Sequence, residues 1–389
     1  MQTATLPQSA TATRQKKSER NLGVELFRVI SMLMVVLLHI LGNGGVLSAA
    51  SREPLSASYK IAYLLQVITY CSVNCYALIS GFANVKTEFK FRRFVYLWLE
   101  TVFLITALNL VMHLGFSGEG FAVKREWWIS GFFPLIKREL WYLCAYFFMY
   151  PLIPILNKGL LSLKKWQHIA VMIMLQAPAI FKLLNNGTDN YVLGGGYSAI
   201  WLICLYVIGA YFRIYGAPKW AKWFVTLPIF ALATLVAWGA KIIPEVMVKN
   251  GTLDTSSAWY TSRTGLISYI SPCMVVMSVA LLVFFMQVPI RGKVSRRVIA
   301  ELGRATWGVF VLHVSAAFWY YTPFWSKLRV LGGYSAGKML FLTLMTAVGF
   351  YLAMSALSIA RFYLFKLCRV QKGVDLLADL PSKWLEKGE

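Results

Sequence analysis

Charge is scarce in this sequence, and that scarcity excludes a soluble globular protein. Only 14% of the 389 residues are charged, whereas soluble chains carry about a quarter. Hydrophobic residues make up 58% of the chain, and its mean hydropathy is +0.60. The charges are crowded between apolar runs that are long enough to cross a hydrocarbon core of about 30 Å. The composition therefore predicts an all-α integral membrane protein without a separate soluble domain.

Acidic residues are especially few, since 16 Asp and Glu stand against 39 Lys and Arg, for a net charge of +23. In a soluble chain this excess would suggest nucleic acid, but here membrane topology explains it and we expect no nucleic acid. The apolar runs predict about ten spans, over roughly 24–48, 61–85, 94–116, 140–157, 167–185, 197–215, 221–243, 263–289, 302–325 and 336–365. Most basic residues then share one side with both termini. The positive-inside rule places that side in the cytoplasm, in contact with anionic lipids.

Both ends of the chain are predicted to be short cytoplasmic tails. Residues 1–21 are rich in Thr, Ala, Gln and Ser and then basic, a composition typical of disorder. Residues 22–368 would form the transmembrane domain, and residues 369–389 a second short tail. The first apolar run is too long for the core of a cleavable signal peptide. We therefore expect it to be a membrane span.

Cysteine carries little information here. Five of the six cysteines lie inside apolar runs, which argues against a disulfide framework. Cys71 and Cys75 share a helical face, but no His or acid is spaced to complete a metal site, so we expect packing thiols and no metal. No Gly-x-Ser-x-Gly motif surrounds Ser80. We interpret Ser80-Gly81 as an architectural pair that lets a helix bend or another backbone approach.

Two polar groups stand out in the first apolar run, Arg28 and His39, with only uncharged residues between them. Eleven positions at about 100° each place both side chains on one helical stripe, about 16 Å apart along the axis. Ionisable groups within a membrane span are functional candidates by default. Structural alternatives stay open, because Arg28 could snorkel to headgroups and His39 could be a hydrogen-bonded packing residue. Arg28 is the only cation that the topology places inside a span, and Glu100 could pair with it, orient His39 or face the cytoplasm.

Several short motifs follow one another along the chain and resemble those of the acyltransferase 3 family of bacterial membrane proteins. They are Arg28 with His39, the run Cys75-Tyr76-Ala77-Leu78-Ile79-Ser80-Gly81-Phe82, the basic turn with Lys90, Arg92 and Arg93, Trp141-Tyr142-Leu143, Tyr206 with Gly209, and Thr306-Trp307-Gly308-Val309-Phe310-Val311-Leu312-His313. Each motif is weak by itself. Their order and spacing over nearly the whole chain carry the resemblance.

The resemblance implies transfer of an acyl group, usually acetyl, from cytoplasmic acyl-CoA to a hydroxyl of a cell-surface polysaccharide or its lipid-linked precursor. Acetyl-CoA would be a donor substrate rather than a permanently bound cofactor, and the location would be the bacterial inner membrane. The implied catalytic residues are His39, Arg28 and His313. The implied donor-binding residues are Arg28, Lys90, Arg92 and Arg93.

Each role leaves alternatives open. His39 could be a general base, because its unperturbed pKa is about 6.5, or a nucleophile that carries the acyl group. Arg28 could bind the phosphates of CoA or stabilise an oxyanion. Its separation of about 16 Å from His39 favours the phosphates, because an oxyanion must lie within about 3 Å of its donor.

A transporter is the main alternative to an enzyme. The run Gly196-Tyr197-Ser198-Ala199-Ile200-Trp201 also resembles the membrane domain of vancomycin-resistance serine racemases, which is linked to serine uptake. A membrane scaffold without catalysis is a third alternative. It leaves Arg28 and His39 unexplained.

Overall fold

The structure is a computed structural model that describes residues 21–87, 90–116, 122–135, 140–184 and 191–385. These ranges contain helices and turns but no strand. The helices are α1 Leu22–Gly42, α2 Val46–Ala50, α3 Ala57–Tyr70, α4 Ser72–Asn84, α5 Phe91–Phe116, α6 Arg125–Phe132, α7 Trp141–Met149, α8 Ile153–Ser162, α9 Lys165–Leu184, α10 Ala199–Tyr215, α11 Trp223–Lys249, α12 Ala258–Thr261, α13 Pro272–Met286, α14 Lys293–Val314, α15 Ala316–Trp319, α16 Thr322–Leu328, α17 Ala336–Leu367 and α18 Val370–Leu385.

Seven helical segments of the described residues are long and apolar enough to cross a membrane. Five of them are single helices, namely α1, α5, α9, α11 and α17. The other two are the pairs α3 with α4 and α7 with α8, while α10 and α13 are apolar but shorter. The chain is therefore an all-helical membrane protein, as its composition predicts. The count of ten spans and the orientation of the termini stay predictions.

Three segments differ from the sequence-based boundaries. The predicted span over residues 302–325 is broken, because α14 begins at Lys293 and ends at Val314, and Ser315 has an extended backbone with ψ of 142°. The predicted C-terminal tail contains the helix α18, whose Val374 is 1% exposed and whose Asp375 lies 3.9 Å from Arg92 of α5.

At the other end, residues 1–20 of the predicted N-terminal tail lie outside the described residues. Residue 21 does not belong to a disordered tail, because the Asn21 side chain caps α1 by accepting a hydrogen bond from the Val24 amide at 3.1 Å. Such a cap satisfies one of the amides that a helix start leaves without a partner. The cap thus defines where the first predicted span begins.

Helix α1 is the central element of the bundle. It packs against α3, α4, α13, α14 and α17. Its apolar side chains point in several directions, and Phe27, Val36 and Leu41 are fully buried. A helix that is apolar on all sides is expected to be surrounded by protein. The stripe that carries Arg28 and His39 therefore lies inside the bundle.

The closest backbone contact joins α4 and α10. A Cβ atom at Gly81 would overlap the carbonyl oxygen of Tyr206, and a Cβ at Gly209 would overlap that of Leu78. Small residues allow such close approach between membrane helices, where dispersion contacts replace the hydrophobic driving force. The predicted architectural role of Gly81 is confirmed, and Gly209 of the Tyr206 motif is its counterpart.

We predict that Gly81→Ala lowers the thermal midpoint of the detergent-purified protein by several degrees. The added methyl group must separate two packed backbones, and overpacking costs about 1–3 kcal/mol. Gly349→Ala on α17 is the matched control, because a Cβ there meets nothing within 4 Å. Equal midpoints for the two variants would contradict the close helix contact.

Candidate active site

The two intramembrane histidines of the sequence analysis meet in the bundle. His39 lies near the end of α1 and His313 near the end of α14. The Nδ1 atom of His39 lies 2.9 Å from Nε2 of His313, although 274 residues separate them in sequence. His313 is completely buried, whereas His39 is partly exposed. The geometry therefore makes a pair in which only His39 is accessible.

The backbone carbonyl of Val309 determines which nitrogen of each ring carries the proton. Nδ1 of His313 lies 2.6 Å from the carbonyl oxygen of Val309, and a carbonyl oxygen can only accept. His313 must therefore carry its proton on Nδ1, which leaves Nε2 of the neutral ring as an acceptor. His39 then donates its own Nδ1 proton to His313. The lone pair of His39 is left on Nε2, where it can act as a base or a nucleophile.

Aromatic side chains complete the surroundings of His39. The indole ring of Trp319, in α15, lies edge-on to the imidazole, with ring centroids 4.9 Å apart at 90°. The Trp319 carbonyl accepts a hydrogen bond of 3.4 Å from the side chain of Asn43, which follows α1. The break after α14 thus returns the chain towards the end of α1. These contacts hold the His39 ring from a second side.

Arg28 occupies the other end of the α1 stripe. Its Nη1 atom lies 3.0 and 3.1 Å from the two carboxylate oxygens of Glu25, one turn earlier. The Arg28 side chain is 22% exposed and that of Glu25 is 6% exposed. Nη1 is the only Arg28 nitrogen bonded to Glu25 in the described part of the chain, so Nε and Nη2 stay available to an anion. Tyr76 donates a hydrogen bond of 2.9 Å to the Arg28 carbonyl.

The residues of the predicted basic turn face different neighbours. Lys90 precedes α5, and Arg92 and Arg93 lie in its first turn, all three exposed. Arg93 interacts electrostatically with Tyr146 of α7, and so does Arg28. Arg92 instead faces Asp375 of α18 at 3.9 Å. Arg28 and Arg93 therefore both act on Tyr146, whereas Arg92 faces α18.

Two buried ion pairs were missed by the sequence analysis. Glu100 neither orients His39 nor pairs with Arg28, because it binds Nη2 of Arg361, and both side chains are buried. Nη1 of Arg361 lies 3.4 Å from the hydroxyl of Tyr96. In α11, Lys241 pairs with Glu245. Arg28 is therefore not the only cation inside a helix of the bundle.

Sequence spacing could not predict the pair of Glu100 and Arg361, because the two residues are 261 positions apart. The pair in α11 did have a signal, since its residues follow the i, i+4 spacing of helical ion pairs. Within the described residues, no group of three or more His, Cys, Asp or Glu could hold a metal ion.

Distant motifs of the sequence also come into contact. Tyr142 of the Trp-Tyr-Leu motif lies against Phe310 of the motif in α14, with ring centroids 5.8 Å apart. Phe310 in turn contacts His313, at 6.4 Å. A family model described as an acyltransferase domain, of the acyltransferase 3 type, matches residues 21–362. The chain belongs to the acyltransferase 3 family. No curated protein and no solved structure shows a significant match.

Membership of the acyltransferase 3 family implies acyltransferase activity for this membrane protein. The matched residues include every predicted site residue, from Arg28 to His313. The histidine pair is the arrangement within this domain that fits such chemistry, because acyl transfer needs a base or nucleophile beside the reacting carbonyl.

We predict that Glu100→Gln destabilises the protein, because it leaves Arg361 buried without its countercharge. Breaking a buried pair in this way costs about 3–5 kcal/mol. The double variant Glu100→Gln/Arg361→Gln removes both charges and should recover part of the lost unfolding free energy in denaturant titrations. The single variant Arg361→Gln is measured as well. If the double variant loses as much unfolding free energy as the two single variants together, the two residues are not paired.

Proposed function

We propose that this chain is an O-acyltransferase of the bacterial inner membrane. It moves an acyl group, acetyl in the simplest case, from acyl-CoA to a hydroxyl of a cell-surface polysaccharide or its lipid-linked precursor. The observation that carries the proposal is the accessible Nε2 of His39, which the hydrogen bond to His313 leaves unprotonated. The family of the chain supports the same chemistry.

The proposed orientation follows from the distribution of charge. With ten spans and both termini in the cytoplasm, most lysines and arginines lie on the cytoplasmic side, as the positive-inside rule requires. The Arg28 end of α1 then faces the cytoplasm, where acyl-CoA is found. His39 lies about 16 Å deeper along the same helix. Donor and acceptor would thus approach the reacting carbonyl from opposite ends of the bundle.

His39 has two ways to carry out the transfer. As a base, Nε2 takes the proton of the acceptor hydroxyl while the oxygen attacks the thioester carbonyl. The carbon–sulfur bond then breaks, and the thiolate takes the proton from His39 to leave as CoA. As a nucleophile, Nε2 itself attacks the thioester and later passes the acyl group to the hydroxyl. Both routes begin from the same unprotonated nitrogen and have the same net balance.

His313 acts through His39 and is a positioning residue in this mechanism. It holds the Nδ1–H tautomer of His39, as the carboxylate does in Ser-His-Asp triads, but without a buried charge. When Nε2 of His39 gains a proton or an acyl group, the ring becomes positive. The bond from its Nδ1–H to His313, backed by the Val309 carbonyl, stabilises that charge.

Arg28 is proposed to bind the donor's phosphates rather than the reacting oxygen. An arginine offers several donors in one plane, a geometry that suits phosphate oxygens. Since Glu25 uses only Nη1 in the described structure, the other donors can meet a phosphate while Glu25 keeps the guanidinium in place. Arg93, which also acts on Tyr146, and exposed Lys90 are proposed to extend the positive surface.

The decisive test is acyl transfer across a membrane by the reconstituted protein. Vesicles contain acetyl-labelled acetyl-CoA inside and a glycan acceptor outside, and label on the glycan is measured over time. We expect His39→Ala to abolish transfer, because no other group in the described pair exposes a free nitrogen. His113→Ala should transfer like the parent, since His113 is an exposed residue of α5 away from the pair.

The same vesicles distinguish acyl transfer from transport, the main alternative function. Movement of free serine with no label on any glycan would replace the acyltransferase proposal by transport. Full transfer by His39→Ala would leave an acyltransferase but remove His39 from its mechanism.

A further inference from the structure

The buried apolar side chains of the bundle form three clusters rather than one continuous core. Phe310 borders all three clusters, and Tyr146 and Tyr76 each border two. These three aromatic side chains are partly exposed although helices surround them. By contrast, Trp201 and Tyr206, inside one cluster, are fully buried. These three side chains are therefore less completely packed than those inside a cluster.

A row of aromatic rings continues from this boundary into the first cluster, where Tyr142 and Tyr150 are buried. Tyr142 and Tyr146 lie one turn apart on α7, with ring centroids 6.4 Å apart, and Tyr150 follows at 5.9 Å. Trp307 of α14 lies 6.0 Å from Tyr146 and 5.8 Å from Phe310. We call Tyr142, Tyr146, Tyr150, Trp307 and Phe310 the aromatic seam. It extends about 12 Å along α7, from Tyr150 to Tyr142.

The two ends of the aromatic seam differ in chemistry. At one end, the Tyr150 hydroxyl lies 3.5 Å from the Lys90 carbonyl oxygen. Further along, Tyr146 interacts electrostatically with Arg28 and Arg93, and Tyr142 interacts with Arg28. At the other end, Phe310 contacts His313, which bonds His39. The seam therefore joins the positive groups to the histidine pair.

We propose that the aromatic seam binds the acylated pantetheine arm of the donor and guides the thioester to His39. This inference rests on the proposed function, which supplies acyl-CoA as the donor. The arm is a flexible chain of methylene groups, two amides and a thioester. Aromatic faces offer apolar walls to the methylene groups, and the tyrosine hydroxyls can bond the amides.

The order of groups along the seam matches the order of groups along the donor. Phosphates bound by Arg28 and Arg93 would place the arm beside Tyr146 and Tyr142 and the acyl carbon beside His39. An ordinary packing role for the same rings would require none of this correspondence. It would also leave unexplained why the boundary of the clusters stays partly exposed.

The test separates the arm of the donor from its phosphates by using two ligands. Binding of acetyl-CoA and of adenosine 3′,5′-bisphosphate, which lacks the arm, is measured on the full chain in nanodiscs. We expect Tyr146→Ala to weaken acetyl-CoA binding about tenfold, the scale of one aromatic contact, and to leave the bisphosphate affinity unchanged. Tyr70→Ala is the matched control, because Tyr70 is a partly buried tyrosine of α3 that stacks on Tyr269.

Three results would contradict the proposal that the aromatic seam binds the arm of the donor. Unchanged acetyl-CoA affinity in Tyr146→Ala would remove the ring from the arm site while leaving donor binding intact. Equal losses for both ligands, or the same loss in Tyr70→Ala, would point to general disturbance of the fold. A wild-type chain that binds neither ligand would reject the proposed function itself.

A labelling experiment on the unaltered chain tests the same proposal without depending on the folding of a variant. An acyl-CoA with a diazirine in its acyl group is irradiated in the presence of the protein, with excess CoA as competitor. We expect competed crosslinks on Tyr142, Phe310 or neighbouring residues of α7 and α14. Competed crosslinks confined to other helices would place the arm elsewhere.

Discussion

The hydrogen bond between His39 and His313 is the interaction on which the rest of the site depends. A histidine inside a membrane bundle is unfavourable unless its polar atoms are paired. Each ring satisfies one nitrogen of the other, and the Val309 carbonyl takes the remaining proton of His313. This arrangement ties α1 to α14 and directs the only unpaired ring nitrogen, Nε2 of His39, to the accessible side.

Charges elsewhere in the bundle follow the same physical rule. Arg28 is paired with Glu25, Arg361 with Glu100 and Lys241 with Glu245. The Arg361 pair is buried on both sides, whereas the Arg28 side chain keeps partial exposure. Since an anion can reach only an exposed guanidinium, Arg28 is the member of these pairs suited to bind a ligand. Exposure therefore distinguishes Arg28 from Arg361 and Lys241, whereas charge alone does not.

Helical periodicity allowed the sequence to predict which residues share a face of one helix. It could not predict contacts between residues that are far apart in the chain. Arg28 and His39 lie on one helix as expected, because an apolar run with two polar residues at that spacing has few other solutions. The partner of His39 is 274 residues away, and the motif that marks His313 gives no sign that the two rings meet. Glu100 was left with three possible roles, and none of them included its partner Arg361, which is 261 residues away. Arg361 lies near the predicted end of the last span, where a basic residue is expected to face the cytoplasm, but packing against α5 buries it.

Helix boundaries show a similar division. Asn21 could have been identified as a cap, since Asn is favoured at helix starts. The early end of α14 depends on the extended backbone at Ser315, and hydropathy does not register it because the apolar run continues. Two of the motifs that carry the family resemblance also meet in space, through Tyr142 and Phe310. Their order along the chain does not show this contact.

Nitrogen-15 NMR of labelled histidines can show whether Nε2 of His39 carries a proton. The chain has only four histidines, so the signals of His39 and His313 can be assigned with single substitutions. We predict that both rings at neutral pH are neutral Nδ1–H tautomers, and that His313→Ala releases His39 from this state. A His39 ring protonated on Nε2 in the intact protein would show that the pair does not leave this nitrogen free.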